Sequence, residues 1–212
     1  MMYRNRIVYI VVLSCLVAPF FLTPLLLPSG TVSHLDGIMG SMDNITAIDE
    51  LPAWARPVYL FGDIECHQMQ RRSFYINDNQ MPVCARDAGL ILGFIIGAMI
   101  SLFALPRATE EDCAATLLRF QRKTSLEGRP NMVKLMALLL MAPLILDGGL
   151  QLVTQVMHGN GLIYFYYESN NILRLVTGIL FGLPLACYLG IMLTPKTAPG
   201  DQRNPPSAGR SK

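Results

Sequence analysis

Four apolar stretches, residues 7–27, 88–105, 132–153 and 172–193, constrain this chain more than any other feature. Each matches the roughly 20 residues that carry a helix across a hydrocarbon core. Backbone groups in lipid must find their partners within the segment, and for an uninterrupted stretch of this length that means a helix. The sequence therefore predicts an all-α, polytopic membrane helical bundle of four transmembrane helices with a long outer loop. Composition agrees: 52% of the residues are hydrophobic and 15% charged, where a soluble domain carries about 25% charged residues.

Basic residues orient the spans, because short flanks rich in Lys and Arg stay cytoplasmic. Arg4 and Arg6 precede the first span. Arg107, Arg119, Arg122, Lys123 and Arg129 separate the second from the third, and Lys196, Arg203, Arg210 and Lys212 follow the fourth. Residues 28–83 hold three basic residues against seven acidic ones, and residues 154–170 have no Lys or Arg. The expectation is a multi-pass inner-membrane protein with both termini cytoplasmic. Residues 1–6 form the N-terminus and 7–193 the transmembrane domain, with loop 28–83 facing outward. The Pro/Gly/Ser-rich tail, 194–212, is expected to be disordered. The first span is expected to be retained and kinked near Pro19 or Pro24. Its apolar run continues about a dozen residues past Cys15, longer than a cleaved signal sequence needs.

Between the spans, "ATEEDCAATLLRFQRK" has the spacing of a short surface helix, and "AWARPVYLFGDI" brings Trp54 and Tyr59 to the membrane interface. Gly89, Gly93 and Gly97, like Gly178 and Gly182, have the small-xxx-small spacing that lets helix backbones approach. Such seams pack the bundle itself or, alternatively, a second copy or another membrane protein. The bilayer is the expected partner. The inner loop's basic residues follow from topology, so no nucleic-acid partner is expected.

Ionisable groups in a span cost ~2.5–3.5 kcal/mol each on insertion scales, so they face a partner or a wet cavity. Here they gather at one end. Arg86 and Asp87 open the second helix, Asp147 and Gln151 share a face of the third, and Glu168, Asn171 and Arg174 lead into the fourth. Arg72, in the loop, adds another positive charge. The sequence alone supports two readings of this convergence. In one, Asp147 neutralises Arg174 while Gln151 and Asn171 hold the helices together. In the other, these residues contact a ligand.

The same end carries Cys66, His67 and Cys84. With Asp87 they supply the four Cys, His and carboxylate donors that a divalent metal such as zinc takes. Alternatively, Cys66 and Cys84 form a disulfide on an oxidising face, in a structural or interaction subunit without a catalytic role. Thiol redox catalysis and ion or proton transport are weaker readings. The first generally depends on a Cys-x-x-Cys, absent here, and the second needs polar groups along the whole route. Cys15, Cys113 and Cys187 read as isolated thiols, and His34 and His158 as solvated loop residues. Whether the protein is an enzyme stays open.

The motifs "CHQ", "RSF" and "PVCAR", with "DGGLQ" and "ESNNILRLVTG" further on, resemble those of a family of uncharacterised bacterial and archaeal integral membrane proteins. The resemblance covers about residues 63–182. It implies a multi-span membrane protein and points to no particular activity. The family pattern carries Cys-x-x-Cys followed by Thr-Gly; here Asp87 stands at the second cysteine and Ala88 precedes Gly89.

Overall fold

The computed structural model describes residues 2–37, 41–66, 68–103 and 130–192. Among the described residues, four helices are long and apolar enough to cross a membrane: α1 (Met2–Leu26), α4 (Ala85–Phe103), α5 (Pro130–Gly159) and α6 (Asn171–Met192). Between α1 and α4 lie two short helices, α2 (Ile45–Asp49) and α3 (Arg56–Glu65), a 3-10 turn (Gln70–Arg72) and the strands β1 (Ser73–Ile76) and β2 (Asn79–Cys84). Pro19 and Pro24 both lie inside α1. The expected inner-loop helix and the tail, like Cys113, lie outside the described residues. Cys187 is disulfide-bonded, so it is not the isolated thiol its sequence setting suggested.

Helices α4 and α6 run parallel and form the most extensive helix pairing among the described residues. The reason is the absence of side chains. A Cβ placed on Gly89, Gly93 or Gly97 would collide with the backbone of Leu175, Ile179 or Leu183. One placed on Gly178 or Gly182 would meet the backbone of Arg86 or Leu90. Small residues on both helices thus let the two backbones touch, and these seams serve packing within the chain. At the far end, Arg6 is buried and donates from Nη1 to the Ser101 carbonyl at 2.7 Å, in the last turn of α4, where carbonyls lack helical partners. The exposed apolar faces of α1 and α5, including Leu16, Leu22, Leu138, Leu146 and Leu152, are those a bilayer would cover.

The segment joining α1 to α4 is more ordered than a loop. Leu27, Val32, Leu35, Ile48, Leu51, Ala55 and Tyr59 form a small apolar core. Polar side chains complete it, because irregular backbone has no ladder of its own and its buried groups still need partners. Asn79 receives the Val32 N–H and donates to the Pro24 carbonyl; Gln80 receives the Leu35 N–H and donates back to the Leu35 carbonyl. Asp63 receives both the backbone and side-chain N–H groups of Asn44. Tyr59 is fully buried and donates its hydroxyl to the Gln80 carbonyl at 2.8 Å, so it holds this module together and is not an interfacial anchor. Trp54, by contrast, is exposed.

The antiparallel β1–β2 hairpin was not anticipated by the all-helical reading, although it is the one sheet among the described residues. Asn77 and Asp78 both take positive φ, 52° and 57°. That is the two-residue turn whose twist matches a hairpin, and Asn and Asp are residues that tolerate it. Register shifts between Ser73 and Tyr75, opposite a stretch of β2 that contains Pro82, which has no N–H to give a ladder.

Candidate functional site

The module sits on the end of the bundle where α4 and α6 begin, and a cavity of about 210 Å³ lies between them. The end of α3 and the chain just beyond bring Cys66, and the 3-10 turn brings Arg72. Cys84 at the end of β2 and Arg86 and Asp87 in the first turn of α4 form another wall; Gln151 and Arg174 complete it.

A bend at Gln68 positions Cys66. Gln68 has φ +41°, in the left-handed region, and is fully buried. Its side-chain NH₂ donates to the carbonyls of Tyr59 and Pro82 at 3.0 and 2.9 Å, tying α3 to β2 on either side of the bend. The expected ligand His67 lies outside the described residues.

Cys66, Cys84 and Asp87 come together. One ligand atom from each lies within 4.8 Å of the others. The spacing of Cys84 and Asp87 is that of a capping box at the start of α4, and the Cys84 thiol donates to Asp87 Oδ2 at 3.1 Å. Both cysteines are free thiols. A hydrogen bond from Cys84 lowers the pKa of Cys66, whereas Cys84, bonded to Cys66, buried and facing Asp87, is pushed well above the ordinary thiol value. The single Cys84 S–H can serve Asp87 or the Cys66 sulfur, not both at once.

The charged groups pair differently from the sequence expectation. Asp147 does not neutralise Arg174. It accepts from Arg86 Nη2 at 2.7 Å, and also from the Tyr167 hydroxyl at 2.9 Å and the Ser169 hydroxyl at 3.1 Å. Arg174 pairs with Glu168 at 3.2 Å, and that same carboxylate oxygen accepts from Arg72 at 2.6 Å and Arg71 at 3.1 Å. Gln151 Oε1 lies between the two systems, 3.2 Å from Arg86 and 3.5 Å from Arg174. Asn171 contacts Arg174 and donates to the Ser73 carbonyl at 3.3 Å, linking α6 to the hairpin. Tyr167 and Ser169 were not among the expected site residues. Their flanking of Glu168 was the available signal, but a tyrosine and a serine in a polar loop do not stand out.

Two arginine nitrogens in this network lack partners among the described residues. Arg72 uses Nε for Glu168 and leaves Nη2 buried and unbonded; Arg86 uses Nη2 for Asp147 and Gln151 and leaves Nε buried and unbonded. Native proteins rarely leave buried donors empty, and those on charged groups are the most expensive.

Burial works against the charge on Glu168, yet the hydrogen bonds from Arg72, Arg71 and Arg174 outweigh it and hold its carboxyl at about 2, below the ordinary 4.5. A carboxylate lowered in the folded state stabilises fully above its unfolded value, and that stabilisation is lost as pH falls towards the folded value. The unfolding midpoint of the wild type should therefore exceed that of Glu168→Gln at pH 5, and the gap should close between about pH 4.5 and 2. Denaturant titrations of both proteins across that range test it; a gap independent of pH would exclude the ion-pair origin.

No solved structure matches the chain. It is 30% identical over 132 residues to an uncharacterized protein of Methanocaldococcus jannaschii, a match covering 62% of this chain and 65% of that one. It is 31% identical over 127 residues to an uncharacterized protein of Methanothermobacter thermautotrophicus, covering 60% of this chain and 86% of the relative. Residues 66–188, more than half of the chain, match the DUF2085 model of predicted membrane proteins, and the chain belongs to that family.

Proposed function

We propose that this membrane protein binds a divalent metal ion in the cavity beneath the hairpin module, with Cys66, Cys84 and Asp87 as ligands. The observation that carries this reading is the convergence of three anionic-type donors within 4.8 Å at a cavity wall. In a tetrahedral zinc site, bonds of about 2.3 Å place two sulfurs ~3.8 Å apart, so the donors need only a small adjustment. Asp87 in place of a thiolate makes the set harder and more tolerant of ions that prefer oxygen. Three protein ligands leave a fourth position for His67 or for an exchangeable ligand from the cavity. The charge distribution of the flanks supports an outward-facing module, where extracytoplasmic metal or a small solute has access.

The competing reading is a structural subunit in which Cys66 and Cys84 oxidise to a disulfide; their hydrogen-bonded sulfurs keep that outcome within reach. Elemental analysis and thiol counting on protein purified without chelator or reductant separate the two. Near-stoichiometric metal, falling at least tenfold in both Cys66→Ser and Cys84→Ser, is the expected result. Metal-free protein whose two thiols react only after reduction would replace the metal centre with the disulfide.

A further inference from the structure

We propose that the arginine side of the same cavity binds a phosphoryl group. The inference rests on reading the cavity as a ligand pocket, but it does not require the metal. Its starting point is the pair of donors that the protein leaves unused. Arg72 Nη2 and Arg86 Nε are buried without a partner among the described residues, and both residues line this cavity. Arg72 is 8% exposed, so bulk water does not serve its guanidinium freely. Arg174, 2% exposed, lines the same space and shares the single oxygen of Glu168 with Arg71 and Arg72. One carboxylate oxygen thus answers three guanidiniums; Arg174 has further acceptors in Ser169, Asn171 and Gln151, whereas Arg72 keeps an unused donor.

The geometry selects the class of anion. A carboxylate suits the paired N–H groups along one edge of one guanidinium. Here the free donors come from two arginines on two elements, the 3-10 turn and the first turn of α4, so the acceptor must offer oxygens in several directions. A tetrahedral phosphoryl group does. Parallel α4 and α6 also both begin at this end, with Arg86 and Arg174 in their first turns. Their positive ends add to a field that favours an anion. Asp87 and Glu65 on the wall oppose it, and binding Asp87 to a metal would remove part of that opposition.

Free phosphate and the headgroup of a phospholipid present the same group, and the position of the cavity at one end of the bundle admits either. Delipidated protein in detergent would be titrated with inorganic phosphate by calorimetry. In parallel, phospholipid retained from phosphatidylglycerol nanodiscs would be quantified by mass spectrometry. The expected result is saturable binding in at least one arm, weakened at least tenfold in Arg72→Lys and in Arg86→Gln. Trp54 fluorescence unfolding curves would select variants that remain folded. Arg72→Lys keeps the charge and loses the unused donor, so it stays informative if Arg86→Gln does not fold. Binding of inorganic phosphate would identify a free phosphate or phosphomonoester ligand; Arg72-dependent retention of lipid alone would identify the headgroup. No binding in either arm, or binding indifferent to Arg72→Lys, would overturn the proposal. Metal content read on the same samples separates the two readings: phosphate bound by metal-free protein leaves this site standing when the metal centre fails.

Discussion

Asp147→Ala is expected to destabilise the protein by about 3–5 kcal/mol, the cost typical of removing one partner from a buried ion pair. Asp147 is nearly enclosed and accepts from three donors on two segments: Arg86 on α4, and Tyr167 and Ser169 in the chain leading into α6. Its loss leaves the Arg86 guanidinium without its carboxylate and two hydroxyls without their acceptor. Asp147→Asn keeps an oxygen for the hydroxyls and should cost less. Arg86→Met combined with Asp147→Ala should recover part of the loss, because the stranded charge is gone. Chemical unfolding in detergent, followed by the fluorescence of Trp54, the chain's single tryptophan, measures all three. An Asp147→Ala cost below about 1 kcal/mol would place the pair among the weakly contributing surface bridges.

Gly62→Ala should also be severely destabilising, with a sign opposite to the usual one. Within a helix, alanine is better than glycine by about 0.8–1.0 kcal/mol, and Gly62 lies inside α3. But a Cβ there would overlap the carbonyl oxygen of Pro82, a backbone atom of β2, and crowd the side-chain nitrogen of Gln68. A backbone carbonyl cannot swing aside as a long side chain can. Alanine must push α3 off the hairpin, breaking the Gln68 bridge that holds Cys66 opposite Cys84. Overpacking of this kind costs about 3 kcal/mol or more when nothing can yield. Gly149 on α5 provides the contrast, since a Cβ there meets nothing within 4 Å. Gly149→Ala should be neutral or mildly stabilising under the same assay. If Gly62→Ala proved as harmless as Gly149→Ala, the close seating of α3 on β2 would be wrong.

Both predictions concern features that differ in how far the sequence reveals them. The four membrane helices follow from composition alone, because lipid imposes one condition on every residue of a span and so leaves a signal about 20 residues long. The glycine seam was legible for a related reason: a parallel close approach needs small residues at regular spacing, and Gly89, Gly93 and Gly97 show it directly. The hairpin was legible only locally. Its Asn77-Asp78 turn carries the right chemistry, but the flanking strands are short, and a two-stranded hairpin depends on what packs against it.

What the sequence determined by itself was the class of protein, the gathering of polar residues at one end of the bundle, and the residues from which a site could be built. Which carboxylate answers which arginine was decided only in three dimensions. Asp147, Glu168, Arg86 and Arg174 are near enough in the chain pattern to pair in several ways, and their charges alone do not distinguish the choices. The tertiary structure chooses by direction. Arg72 and Arg71 arrive from the module and take Glu168 together with Arg174, while Arg86, at the start of α4, faces Asp147 across to α5. The meeting of Cys66 with Cys84 and Asp87 was decided in the same way, by a left-handed bend at Gln68 that is held by carbonyls from α3 and β2. Side-chain type sets which interactions are available; only the path of the backbone sets which of them are within reach.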